Sequence, residues 1–243
     1  MRVQRYYFFL NYATMNAKNV LNFIEKLTEN NNREWFSANK EWYLEVKTEV
    51  DNFTKLWLER LVELEPEVAG LAPKDCVYRI YRDIRFSPNK VPYKDWIGVY
   101  VAKRGGRKSP YGGYYLHFQP SHCLFAGGIW CPEPDLLKAL RQDIYDNAEE
   151  LEEIFSRKEV KPYLTDFDTD YMLKTVPASF RQNNPDFDPA WPHADWLKRK
   201  TFTFSCPLDE KELEKPDFIE KLMTLCRAGK PINDFLNYTV ENQ

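Results

Sequence analysis

The stretch GGYYLHFQPSHCLFAGGIW, residues 112–130, holds two short apolar runs separated by Pro120, Ser121 and His122. In the first run Tyr114, Leu116 and Phe118 share one face of an extended chain, and Tyr115, His117 and Gln119 share the other. That is the period of a half-buried strand. A break this short leaves no room for a crossover helix, so the two runs pair antiparallel. Working outward, DCVYRIYR (residues 75–82) and WIGVYVAKR (residues 96–104) alternate in the same way. The turn-rich SPNKVP and GGRKSPYGG separate them. A further strand is predicted near Thr201 to Ser205. The expected centre is an antiparallel sheet of four or more strands.

Helices flank this centre. Val20, Ile24 and Leu27 recur at helical spacing, giving a short first helix. Asn31 followed by Glu34 reads as a reciprocal N-cap for the next helix, in which Trp35, Asn39, Trp42, Val46, Val50, Phe53, Trp57, Leu61 and Leu64 recur every three or four residues. This predicts one long, bent helix to about Leu64. The run PEPDLLKALRQDIYDNAEELEEIF (residues 132–155) predicts another, with Glu133 and Asp135 complementing its N-terminal dipole. The region from Lys161 onward mixes prolines and aromatics, and a last helix is expected from about Asp217 to Ala228. The fold class read from this order is α+β: N-terminal helices, a central antiparallel sheet, a long helix packed on it, and an irregular C-terminal region with a final helix. A single domain is expected over residues 15–243. Met15 stands just before the first helix start, so residues 1–14 read as a non-core arm or a mis-assigned start.

The bulk numbers limit the function classes. Aromatic residues make up 16% of the 243, which is high and implies flat groups in the core or along a groove. The net charge of -3 argues against a general polyanion binder. Within residues 79–108, however, nine basic side chains face only Asp83 and Asp95, a local net of +7 that leaves -10 for the remainder. A field focused in this way suits a small anion better than a polymer. Five cysteines without a CxxC motif read as reduced thiols, and no run of apolar residues is long enough to span a membrane, so a cytoplasmic location is expected.

Within YRIYRDIRFSPNKVPYKDW (residues 78–96), alternation puts Arg79, Tyr81, Asp83 and Arg85 on one face and Tyr78, Ile80, Arg82 and Ile84 on the other. Forked guanidinium groups around a carboxylate suit bidentate oxygen recognition, with Asp83 orienting the arginines. Pro88 and Pro92 stiffen the following loop, from which Lys90, Tyr93 and Lys94 project. His117 is placed to act as a general base or phosphate partner, and with Asp83 it is the candidate for chemistry. Gly127 and Gly128 permit close backbone approach, and Trp130 offers a stacking plane. The glycine-rich loop lacks Walker spacing, His122 with Cys123 and Cys131 lacks metal-site spacing, and no G-x-S-x-G, H-E-x-x-H or dinucleotide fingerprint occurs. No cofactor and no metal are expected.

The pattern Arg-x-x-Arg-Asp-x-Arg-Phe-x-x-x-Lys-x-x-Tyr, carried by Arg79, Arg82, Asp83, Arg85, Phe86, Lys90 and Tyr93, resembles the signature of the uncharacterised bacterial family DUF2461. NNNREWFSANKEWY, GGYYLHF and GGIWCPEPDLLKALR resemble that family's other motifs. LKTVPASF with HADWLKRKTF is a looser match, having Ala178 and Ser179 where a basic-Gly pair is more usual. The resemblance implies a one-domain α+β protein and supplies no catalytic residues. Three readings follow from the residues. The cluster binds a small anionic, phosphate-bearing ligand through Arg79, Arg82, Asp83, Arg85, Lys90, Tyr93, Lys94, His117 and Trp130. Alternatively the same stripe tracks a nucleic-acid backbone while aromatics stack on bases, or the arginines form a purely structural network in a scaffold protein. No membrane partner is expected, and oligomeric state is not legible.

Overall fold

The computed structural model describes residues 15–243; the expectation for residues 1–14 lies outside the described residues. The chain gathers into two compact units, each assembled from separate stretches. The first takes the described residues up to Lys108 together with Tyr115–Phe125 and Pro207–Thr224; the second takes Ser109–Tyr114, Ala126–Cys206 and Leu225–Gln243. Four strands, β1 (Ile97–Val101), β2 (Gly113–Phe118), β3 (Leu124–Ile129) and β4 (Phe202–Pro207), form one antiparallel sheet in chain order. Ten α-helices accompany them among the described residues, so the α+β class holds.

In the first unit α1 (Ala17–Glu29) packs on α3 (Lys40–Leu61) because each has one apolar stripe. Val20, Phe23, Ile24 and Leu27 on α1, and Val46, Val50, Trp57 and Leu61 on α3, are buried. The predicted long second helix is instead two, α2 (Arg33–Ala38) and α3. The break falls at Asn39, whose side-chain amide donates to Trp35 O at 2.9 Å and competes with continuation of the helix. The cap also moves by one residue. Asn32, not Asn31, accepts from Trp35 N, at 2.8 Å. The short α4 (Pro73–Cys76) follows α3, and α9 (Glu210–Leu213) completes this unit's helices before α10 (Phe218–Glu241) begins. Phe218 stacks on Phe53 at 5.7 Å.

In the second unit the predicted single helix over residues 132–155 is likewise two, α5 (Pro134–Asp146) and α6 (Ala148–Ser156). Asn147 leaves helical geometry at φ -126° while its amide donates to Asp143 O and Oδ1. The irregular region carries α7 (Ala178–Asn183) and α8 (Ala194–Lys198) among aromatic contacts such as Tyr145 against Phe180, Phe187 and Trp191. Helix α10 runs thirteen residues past its expected end at Ala228 and contains Pro231. Two buried asparagines one turn apart on α10 fasten it to neighbouring backbone. Asn233 accepts from Gly128 N at 3.0 Å and donates to Gly113 O at 3.0 Å. Asn237 accepts from Gly112 N at 2.7 Å and donates to Gly112 O at 3.1 Å. Gly128 has φ +92°, and a Cβ there would stand 2.0 Å from Phe202 O. The close approach read from the Gly127–Gly128 pair is thus an approach of β3 to β4.

Candidate functional site

Residues 77–94 fold back on themselves in the first unit. Two isolated antiparallel bridges, Val77 with Val99 and Tyr81 with Tyr93, stand where a continuous strand over DCVYRIYR was expected. Arg82 N donates to Pro92 O and Lys94 N to Ile80 O. The ladder stops there for two reasons. Pro88 and Pro92 supply no N–H. The outward-facing backbone groups of Tyr93 are both taken by the Asn31 side chain, which accepts from its N–H and donates to its C=O, each at 3.1 Å. Asn31 therefore does the work of a strand neighbour, and this is why it is not the helix cap.

Burial follows the predicted alternation. Arg79, Tyr81, Asp83 and Arg85 are exposed, Ile80 is buried, and Tyr78, Arg82 and Ile84 are half-buried. The cations differ in what they hold. Arg85 grips Asp83 through Nε and Nη2 at 3.0 and 2.7 Å, and this guanidinium holds the Asp83 carboxyl at about 2. Lys90 Nζ donates to Ile84 O at 2.9 Å, and Arg82 Nη1 to Val91 O at 3.4 Å. Lys90 also lines an open cleft of about 560 Å³ with Asn31, Arg33, Glu34 and Pro92. Tyr93 is buried, its ring stacked 4.1 Å from Phe36.

Lys94 is in a different setting. Its ammonium lies 4.5 Å from the Trp96 ring centre and 5.1 Å from that of Tyr78, and donates to Arg79 O at 2.9 Å. Burial pulls its pKa down to about 8, and the neighbouring Arg79 and Arg107 guanidinium groups pull the same way. Arg107 is itself anchored by Nη1 on Lys74 O. Arg79 has no hydrogen-bond partner for its guanidinium among the described residues.

The sheet beside Lys94 is paved by the outward positions of β1 and β2. Gly98 is bare because the Tyr115 ring fills the space above it: a Cβ there would meet Tyr115 Oη at 2.6 Å and Trp96 Cζ3 at 2.9 Å. From Tyr115 a directed chain runs across the face. Asp95 Oδ2 accepts from the Gln119 amide at 3.4 Å, which turns Gln119 Oε1 toward His117 Nε2 at 3.0 Å. Nε2 must then carry the imidazole proton, and Nδ1 accepts from Tyr115 Oη at 2.7 Å. Burial lowers the His117 pKa and raises that of Tyr115, so the imidazole is neutral and the phenol protonated. Both ring nitrogens have partners, leaving His117 a positioning place in the face.

A pH dependence follows. A histidine whose folded pKa lies below its unfolded value of about 6.5 contributes stability that is present above that value and lost as pH falls through the folded pKa. His117→Gln is expected to flatten part of the acid-side loss of stability, measured by urea unfolding between about pH 7.5 and 5. An unchanged slope would mean that the ring is equally basic in both states.

Trp130 belongs to the second unit, where it is exposed and meets Tyr171 edge-on at 5.1 Å. Sequence reasoning missed three parts of the site: Asn31 as a backbone clamp, Arg107 as a third cation, and the relay from Asp95 to Tyr115. The last had a signal in the register Trp96, Gly98, Tyr100 against Tyr115, His117, Gln119, where a glycine opposite a tyrosine marks a niche.

Among the described residues no helix is long and apolar enough to cross a membrane. No curated protein and no solved structure matches the chain. One family model does, described as conserved hypothetical protein (DUF2461), over residues 19–235, a span that takes in the arginine segment, the paved sheet face and most of α10; the chain belongs to the DUF2461 family.

Proposed function

We propose that the first unit binds a small phosphate-bearing anion, held by Arg79 and Lys94 against the rings of Tyr78 and Trp96. One observation carries this reading. The Lys94 ammonium is half-buried beside two further cations, Arg79 and Arg107, and makes no ion pair with a carboxylate among the described residues. Like charges held together out of water repel, and an anion placed among them relieves the repulsion. Arg79 supplies unoccupied, forked donors for the anion's oxygens. Arg82, Lys90 and Tyr93 fix the loop, Asp83 orients Arg85, and His117 holds Tyr115 over Gly98. Trp130 has no part in this reading.

Inorganic phosphate is expected to raise the melting temperature, and Arg79→Ala to abolish that rise while leaving the unliganded protein at least as stable as before, since the exposed guanidinium has no hydrogen-bond partner to strand and its loss relieves repulsion on Lys94. Binding should also take up protons near pH 8 to 9, because an anion restores the Lys94 pKa toward its ordinary ~10.5. Calorimetry in buffers of different ionisation enthalpy measures this uptake, and Lys94→Met should remove it. Phosphate stabilisation that survives both substitutions would sink the reading. A second reading is favoured by Phe86, 92% exposed with Arg85 beside its ring at 5.7 Å, a stacking platform for a single-stranded nucleic acid. Salt-sensitive retention on oligo-dT, lost in Phe86→Ala and retained in Arg79→Ala, would favour it.

A further inference from the structure

The second unit buries two arginines, and they differ in how their charge is met. Arg199 is 2% exposed and its Nε, too, lacks an acceptor among the described residues, but its charge is met by carboxylates. Nη1 donates to Asp168 O, Nη2 lies 3.4 Å from Asp166 Oδ2, the guanidinium sits 5.9 Å from the Phe167 ring centre, and Asp195 adds a further negative charge nearby. Arg141, on the inward face of α5, is 9% exposed and has none of this. Among the described residues its one hydrogen bond runs from Nη2 to Arg199 O at 2.7 Å, at the C-terminal cap of α8. Nε is sealed from solvent without an acceptor among the described residues. Burial lowers its pKa, and among the described residues no carboxylate acts in the opposite direction.

A buried charge without a counterion opposes folding far more strongly than a neutral side chain of equal size. Capping one carbonyl occupies one of the five guanidinium donors and leaves the charge itself unmatched. Lone buried donors in a native protein call for a missing partner. From the unmatched guanidinium of Arg141 and its orphaned Nε we infer a second oxyanion site, distinct from the Arg79–Lys94 cluster, that takes the carboxylate or phosphate group of a small ligand. The planar donors suit two oxygens of one group, and the bond to Arg199 O fixes the plane in which they lie.

The test uses the full chain carrying Arg79→Ala and Lys94→Met, so that the first cluster cannot respond and its fate does not decide this one. The nitrogen-15 Nε–H resonance of Arg141, identified by its loss in Arg141→Lys, is followed as sodium phosphate or sodium acetate replaces chloride at constant ionic strength. The expected result is a saturable downfield shift of that proton, accompanied by a rise in melting temperature that Arg141→Gln loses. Phosphate acting alone assigns a phosphoryl ligand, and acetate acting alone or equally assigns a carboxylate. A resonance that neither anion moves overturns the inference, whether or not Arg141→Gln folds. An Arg141→Met protein that is more stable than its parent and has the same anion dependence overturns it too.

Discussion

Gly128→Ala is expected to destabilise the protein by about 4 kcal/mol or more, enough to abolish the folded second unit at ambient temperature. Two costs add. Alanine at φ +92° is strained by ~1 kcal/mol or more. Its methyl would then stand 2.0 Å from Phe202 O, and because that atom is backbone, relief requires β4 to withdraw from β3. Ladder hydrogen bonds are lost with the withdrawal. Circular dichroism against guanidinium concentration measures the effect. A loss smaller than ~1 kcal/mol would mean that β4 yields freely and that the two strands are not closely coupled.

The second large effect is expected from Asn233→Leu, which keeps the volume and removes the amide. Gly128 N–H and Gly113 C=O then lose their partner in the interior, and each orphaned buried group costs about 1–3 kcal/mol, so a total loss of roughly 2–6 kcal/mol is expected. Asn237→Leu strands the N–H and C=O of Gly112 in the same manner. Because Asn233 accepts from the very amide of Gly128, the two substitutions share a partner, and the double variant should lose less than the sum of the singles. Strict additivity would show that the asparagine and the glycine act on separate parts of the unit.

Much of this architecture was legible because it rests on periodicity. Alternation over residues 96–104 and 112–130 placed β1, β2 and β3, and the register Tyr114, Leu116, Phe118 against Tyr115, His117 is the one observed. The breaks were not legible. Asn39 and Asn147 end helices within otherwise unbroken apolar spacing because their amides reach back to carbonyls, a local competition that periodicity does not report. At the arginine segment the exposed and less exposed faces were read correctly, yet the ladder was not, because its outer neighbour is the side chain of Asn31, 62 residues away from Tyr93. The partners of the cations were equally hidden. Nothing in the spacing says that Arg85 is occupied by Asp83 while Arg79 is not, since that depends on side-chain reach across an irregular loop. The buried arginine on α5 carries no mark in the sequence, because arginine stems cover apolar surface on many amphipathic helices.

The interleaving of the two units bears on how the chain is made. Neither unit can close on a ribosome until late: the first waits for residues 207–224, and the second for residues 225–243, which bring Asn233 and Asn237. Until then β3 lacks the α10 asparagine that holds its Gly128 amide, and Phe23, Trp57 and Phe204, buried in the finished molecule, have only part of their cover. A nascent chain in that state exposes unpaired strand backbone and large aromatic surface together, which is the chemistry that chaperones recognise and that drives self-association when they are scarce.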